Sequence, residues 1–256
     1  MLRSRIIPCL LIKDKGLVKT TKFKNPKYVG DPINAVKIFN EKEADELMVL
    51  DIDASVNNND LDYDMIKNLA LECRMPFCYG GGIKDSEQII KILSLGVEKV
   101  ALSSILFNDI SIIDKVSSSV GSQSIVAVLD IKKKLLGGYN CYINNGRKKI
   151  NINLLDFIKE ISDRGVGEIV VNSIDKDGTM SGYDYDLIDF VKSEISCPIT
   201  ILGGASNLDD IKSLISKYDI IGASAGSLFV FKGKYRAVLI NYPNKTEKYK
   251  LINNTF

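Results

Sequence analysis

The stretch Arg5-Ile6-Ile7-Pro8-Cys9-Leu10-Leu11-Ile12-Lys13-Asp14-Lys15-Gly16 decides how the rest of the chain is read. A short apolar run stops at a charged, glycine-containing turn, with no hairpin pair of the Asn-Gly kind. Such a run reads as a strand buried in a parallel sheet, its C-terminal end opening into a loop. Seven later segments repeat the pattern: Leu47 to Asp51, Pro76 to Tyr79, Lys99 to Leu102, Ile125 to Leu129, Glu168 to Val171, Pro198 to Leu202 and Asp219 to Ala223. Helical periodicity fills the intervals. Gly30-Asp31-Pro32 opens a helix from Ile33 to about Glu43, and others run Asp85 to Leu95, Leu154 to Arg164, Asp186 to Glu194 and Leu208 to Ser216. Eight strand–helix units in 256 residues predict an α/β fold, one (β/α)₈ TIM barrel with right-handed crossovers. An open doubly wound sheet is the alternative, but no Gly-x-Gly-x-x-Gly loop supports it.

Composition narrows the function. A net charge of +2 points to neither nucleic acid nor an anionic membrane. No apolar run approaches the roughly 20 residues that span a bilayer, and the start, Met-Leu-Arg-Ser-Arg, lacks a signal-peptide pattern, so a cytoplasmic location is expected. The five cysteines (Cys9, Cys73, Cys78, Cys141 and Cys197) include no Cys-x-x-Cys pair and read as free thiols. The chain has no histidine, so any acid–base chemistry falls to carboxylates, Lys, Tyr or Cys. Neither a metal nor a cofactor is implied.

The two halves echo each other. Gly80-Gly81-Gly82-Ile83 after the third strand matches Leu202-Gly203-Gly204-Ala205 after the seventh. Ala101-Leu102-Ser103-Ser104 matches Ala225-Gly226-Ser227-Leu228, and Leu50-Asp51 matches Val171-Asn172. The separations are 121 to 123 residues, which predicts half-barrels of about 1–120 and 121–240 followed by a tail, 241–256. Glycine after a strand lets backbone N–H groups approach an anion, and the next helix offers its positive end. Gly81, Gly82, Ser103 and Ser104 therefore predict one phosphate site, and Gly203, Gly204, Gly226 and Ser227 a second, with Gly178 closing over it. The expected ligand is a small molecule phosphorylated at both ends. The lysine-rich segment Lys132 to Lys149 reads as an inserted hairpin after strand five: a mobile lid, a partner contact or a plain solvated hairpin. Lys232 to Lys250, with Tyr235, Tyr242 and Tyr249 interleaved, has the composition of a nucleic-acid patch, but an isolated basic tail reads more simply as a solvated surface.

These motifs, in this order, resemble the HisF family, the cyclase subunit of imidazole glycerol phosphate synthase, along essentially the whole chain. The likeness rests on Arg5-Ile6-Ile7-Pro8-Cys9-Leu10, Ala44-Asp45-Glu46-Leu47, Gly80-Gly81-Gly82-Ile83, Asn172-Ser173-Ile174-Asp175, Asp177-Gly178-Thr179 and Ser181-Gly182-Tyr183-Asp184. The resemblance implies a barrel paired with a glutaminase subunit as a heterodimer, receiving ammonia through the barrel axis and using it on a bisphosphate. It implies an ammonia gate of Arg5, Glu46, Lys99 and Glu168, a loop-one residue Lys19, and a glutaminase contact at Glu98, where the family has aspartate. It also implies two catalytic aspartates, at the ends of strands one and five. Asp130 holds the second position, but Leu11 stands at the first. Leucine neither gives nor takes a proton, and losing one positioned acid or base costs about 10²–10⁴-fold in rate.

A branch of the family is closer still. It resembles this chain in Cys9-Leu10-Leu11, in Phe23 to Val36 and in Ala225 to Gly233. That branch is associated with acetamidino modification of surface-polysaccharide sugars, in which ammonia passes to a separate sugar amidotransferase. Three readings follow. The first is an ammonia-supplying subunit for acetamidino-sugar formation. The second is a cyclase of histidine biosynthesis in which Asp130 works with a substitute acid. The third is a non-catalytic activator of a glutaminase.

Overall fold

The structure, a computed structural model, describes residues 3–252. Met1, Leu2 and the last four residues of the expected tail lie outside the described residues. Eight parallel strands close on themselves: β1 (Arg5–Lys13), β2 (Leu47–Asp51), β3 (Phe77–Gly80), β4 (Lys99–Leu102), β5 (Ile125–Lys133), β6 (Glu168–Ser173), β7 (Ile199–Leu202) and β8 (Gly222–Ala225). Each pairs with the next, and β1 pairs with β8 through Arg5 opposite Gly222 and Pro8 opposite Ala225. The barrel expected from the sequence is therefore formed.

Side-chain alternation along the strands builds two cores. Even positions of β1, Ile6, Leu10 and Ile12, face outward into a large cluster with the helices. Odd positions, Ile7 and Cys9, join Met48, Cys78, Val126, Val128 and Val170 inside the barrel, with Leu11 and Leu50 packed on top. Helix starts follow the polar signals in the sequence. Asp31 accepts from the Asn34 amide at 2.9 Å and Asp85 from the Gln88 amide at 2.8 Å, each satisfying a donor that the first turn leaves free.

Three expectations are corrected. The end of β1 does not open into a loop. It turns back at once into an antiparallel hairpin of Gly16–Thr21 and Lys24–Gly30. The turn residues Asp14 and Lys15 take φ of 48° and 63°, the left-handed pair of a tight hairpin turn, here without glycine. Second, β5 runs on to Lys133 because it pairs with Tyr139–Ile143, and Lys148–Ile150 completes the inserted hairpin. Third, the basic tail is not simply solvated. The buried Tyr242 hydroxyl donates to Ile6 O at 2.8 Å and accepts from the Asp45 amide at 3.0 Å. Lys248 adds bonds to Asp45 and to Glu43 O at 2.9 and 2.7 Å, so this segment straps the N-terminal end of the barrel, while Tyr235 and Tyr249 are exposed. Among the described residues no helix is long and apolar enough to cross a membrane.

Candidate functional site

The N-terminal end of the barrel carries a closed ring of charge. Arg5 opens β1, Glu46 precedes β2, Lys99 opens β4 and Glu168 opens β6, so strand geometry brings all four to one rim. Arg5 binds Glu168 at 2.8 Å and also Glu46, and Lys99 binds Glu46 at 2.8 Å and Glu168 at 2.9 Å. Thr200 donates a further hydrogen bond to Glu168 at 2.5 Å. The carboxylate side chains are only 3–4% exposed and the cations 19–23%. Burial by itself penalises the charges of Arg5, Lys99 and Glu168, yet the ring reverses it. Glu168 is held below the usual carboxylate range by Arg5 and Lys99, and both cations are held above theirs by the two carboxylates. Exposed Glu98 lies next to Lys99 on the same rim.

The other end is a cavity of about 130 Å³. It is lined by all of the phosphate-loop residues expected from the sequence (Gly81, Gly82, Ser103, Ser104, Gly178, Gly203, Gly204, Gly226 and Ser227), with Lys19, Asp130 and Leu11. Gly82 and Gly204 take φ of 72° and 107°. A Cβ on Gly82 would stand 2.6 Å from Ala54 Cβ, and one on Gly204 would stand 2.1 Å from Gly182 O. Both glycines are thus required by the fold itself, and replacing either with a bulky residue would test folding before it tested ligand binding. The Gly82 amide donates to Ser55 Oγ at 3.2 Å.

Asp130 leaves the C-terminal part of β5 and accepts from Asn172 Nδ2 at 2.9 Å. Burial pushes its carboxyl up to about 7, against the Asn172 bond that lowers it. Across the mouth, Leu11 occupies the inward-facing position above Cys9 and beside Leu50. The nearest carboxyl in sequence, Asp14, lies in the exposed hairpin turn beside Lys13, outside the cavity lining. Lys19 is buried, its Nζ donating to Cys9 O at 2.5 Å, and burial lowers its pKa. Asp177 staples the first hairpin down: it accepts from Thr20 Oγ1 at 2.7 Å and the Phe23 amide at 3.1 Å, and its carbonyl accepts from Lys22 N at 2.9 Å. Burial raises the Asp177 carboxyl, with those bonds opposing.

Two polar groups point to what sequence reading missed. Arg236 donates to Gly178 O at 2.9 Å and reaches Ser227 Oγ at 3.4 Å, and its buried Nε has no partner among the described residues. The Asn172 Oδ1 atom is likewise buried without a partner. Arg236 lies beyond the last barrel strand in a lysine-rich segment, so only the fold shows it beside the second glycine pair.

The family of histidine biosynthesis proteins matches residues 5–236. The chain belongs to the HisF family. It is 56% identical over 98% of its length, and 97% of the relative's, to a Vibrio vulnificus protein provisionally named imidazole glycerol phosphate synthase subunit hisF3. A Pseudomonas aeruginosa protein provisionally named subunit hisF2 is 49% identical over 95% of this chain and 97% of its own. The Streptococcus mutans imidazole glycerol phosphate synthase subunit HisF is 38% identical over 90% and 91%. This HisF chain therefore stands nearer to the provisionally named paralogues than to that streptococcal subunit, which fits a divergent branch.

Proposed function

We infer that this HisF-type subunit receives ammonia from a glutaminase bound at the charged ring and releases it at the mouth to a separate acceptor enzyme. The acceptor reading we favour is acetamidino-sugar formation in surface-polysaccharide synthesis. One observation carries the proposal: the ring is complete, whereas the mouth has Asp130 facing Leu11 in place of a second carboxylate. Between the two ends lies the apolar interior of Cys9, Met48, Cys78 and Val128. Such a lining favours neutral ammonia over ammonium, because an unpaired cation there would lose its hydration without compensation. At the mouth Asp130 has a pKa of about 7, suited to exchanging a proton near neutrality, but Leu11 stands where the resemblance implies its partner. The other lining carboxyls, Asp51 and Asp177, are engaged with the backbone amides of Asp53 and Ala54 and with Thr20 and Phe23. The glycine pairs and Ser104 and Ser227 are read as phosphate cradles, and the 121–123-residue spacing supports two half-barrels, 1–120 and 121–240.

The second reading is a cyclase acting in histidine biosynthesis, and the names of the relatives favour it. A direct assay separates the two. The chain is given the bisphosphate substrate of imidazole glycerol phosphate synthase with saturating ammonium salt, beside Leu11→Asp. The expected result is no turnover by the native chain and measurable turnover by Leu11→Asp. Native turnover at an ordinary cyclase rate would overturn the proposal. If the chain only activated a glutaminase, adding charge at the cavity by Ser227→Asp would leave ammonia transfer to the acceptor untouched.

A further inference from the structure

A second concavity, with a volume of about 500 Å³, opens beside the mouth between the two hairpins. Its walls come from the Lys22-Phe23 turn that joins the two strands of the first hairpin and from Asn145, Gly146 and Arg147 of the second, which meet where the Phe23 ring lies against Gly146. The charge lining it is one-sided. Five basic side chains face a single carboxylate, Asp53, which is already held by Lys13 at 2.6 Å. Among the described residues, Lys22, Lys24, Lys132 and Arg147 have no carboxylate partner. Four unpaired cations converge here in a chain whose net charge is only +2, so the rest of the surface is close to neutral or slightly acidic.

The backbone sustains this cluster at a cost. Lys22, Phe23 and Asn25 take φ of 52°, 61° and 52°, a region that side-chain-bearing residues avoid. Cations brought together without counter-charge repel one another, and a multiply charged anion relieves that repulsion. Phe23, Ile52 and Pro26 add an apolar, partly aromatic surface to the lining. A volume of this size lies in the range of small-ligand sites, roughly 300–1,000 Å³.

We propose that this groove binds a nucleoside diphosphate group, its two phosphates on Lys22, Lys24, Lys132 and Arg147 and its base against Phe23. The groove shares Thr20, Phe23, Ile52 and Asn145 with the mouth cavity, so a sugar attached to the second phosphate reaches the place where ammonia emerges. Only this last step, naming the ligand as the handle of the ammonia acceptor, rests on the proposed function; the anion site stands without it.

Titration calorimetry of the full chain tests the site with UDP, inorganic pyrophosphate and uridine as probes. UDP is expected to bind at one site more tightly than pyrophosphate, with uridine not measurable and affinity falling as salt rises. Lys24→Glu combined with Arg147→Glu is expected to weaken UDP by about tenfold or more, whereas Lys67→Glu, on a distant exposed helix face, leaves it unchanged. Thermal melts of each variant exclude misfolding, and Lys24→Gln with Arg147→Gln repeats the test without adding negative charge. No UDP binding at millimolar concentration would overturn the proposal. So would binding that survives the groove substitutions and is lost in Ser227→Asp, which would put the anion in the glycine cradles. Equal affinity for UDP and pyrophosphate would overturn the nucleoside assignment. None of these outcomes bears on turnover of the bisphosphate, which the cyclase assay reads and on which the proposed function stands or falls.

Discussion

The two ends of the barrel solve the problem of buried charge in opposite ways. At the N-terminal ring every charge has two partners of opposite sign, and the carboxylates are nearly sealed from water. At the mouth Asp130 has only an amide donor, and its pKa rises to about 7. Paired charges are kept ionised, while a buried carboxyl without a cationic partner is poised to change protonation state. The ring holds its charges ionised, whereas the carboxyl at the mouth is placed to gain or lose a proton near neutral pH.

Breaking the ring should have the largest effect. Arg5→Ala leaves Glu46 and Glu168 sharing Lys99 alone, and is expected to destabilise the chain by about 2–4 kcal/mol, read from urea unfolding midpoints. A loss below about 0.5 kcal/mol would make the ring no different from an ordinary surface pair and would erase the contrast. Leu11→Asp, besides its gain of turnover, is expected to cost about 1–2 kcal/mol, because the new carboxyl sits over Cys9 and beside Leu50.

Asp130→Asn sharpens the contrast through its pH dependence. The native carboxyl titrates near 7 and the unfolded one near 3.9. Between those values the folded state holds a proton that the unfolded state has released, so the native chain loses stability as pH rises through this window. Asparagine removes the effect, so the variant's stability relative to the native chain should rise by about 1–3 kcal/mol from pH 4 to pH 8. A flat difference would show that Asp130 titrates normally. The smallest effect is expected at the mouth's outer edge: Asp14→Asn, in the exposed hairpin turn, should change neither stability nor any turnover gained by Leu11→Asp beyond measurement error. A clear loss of that turnover would show that Asp14 reaches the cavity after all.

Legibility in the sequence followed how local each signal was. Alternation along β1 puts Cys9 and Leu11 on the inner face and Leu10 and Ile12 on the outer one, a split legible in the sequence because the period of a strand needs no distant partner. The hairpin after β1 was missed because its turn uses Asp14 and Lys15 in left-handed conformations that the usual turn residues would have signalled. The tail misled for a different reason. A tyrosine among lysines looks solvated until Tyr242 is seen bonded to Ile6 and Asp45, some 200 residues away in sequence.

The order and apolar character of eight short strands determined the barrel, and the residue types at strand starts and ends placed four charged residues at one rim and Leu11 at the other. These are statements about one residue and its immediate neighbours. Which charges pair, how far the Asp130 pKa rises, that Arg236 stands beside Ser227 and that two hairpins enclose a cationic groove were decided only by the tertiary structure. Each depends on groups from distant segments sharing a low-dielectric space, where a few ångströms set the sign and size of the interaction.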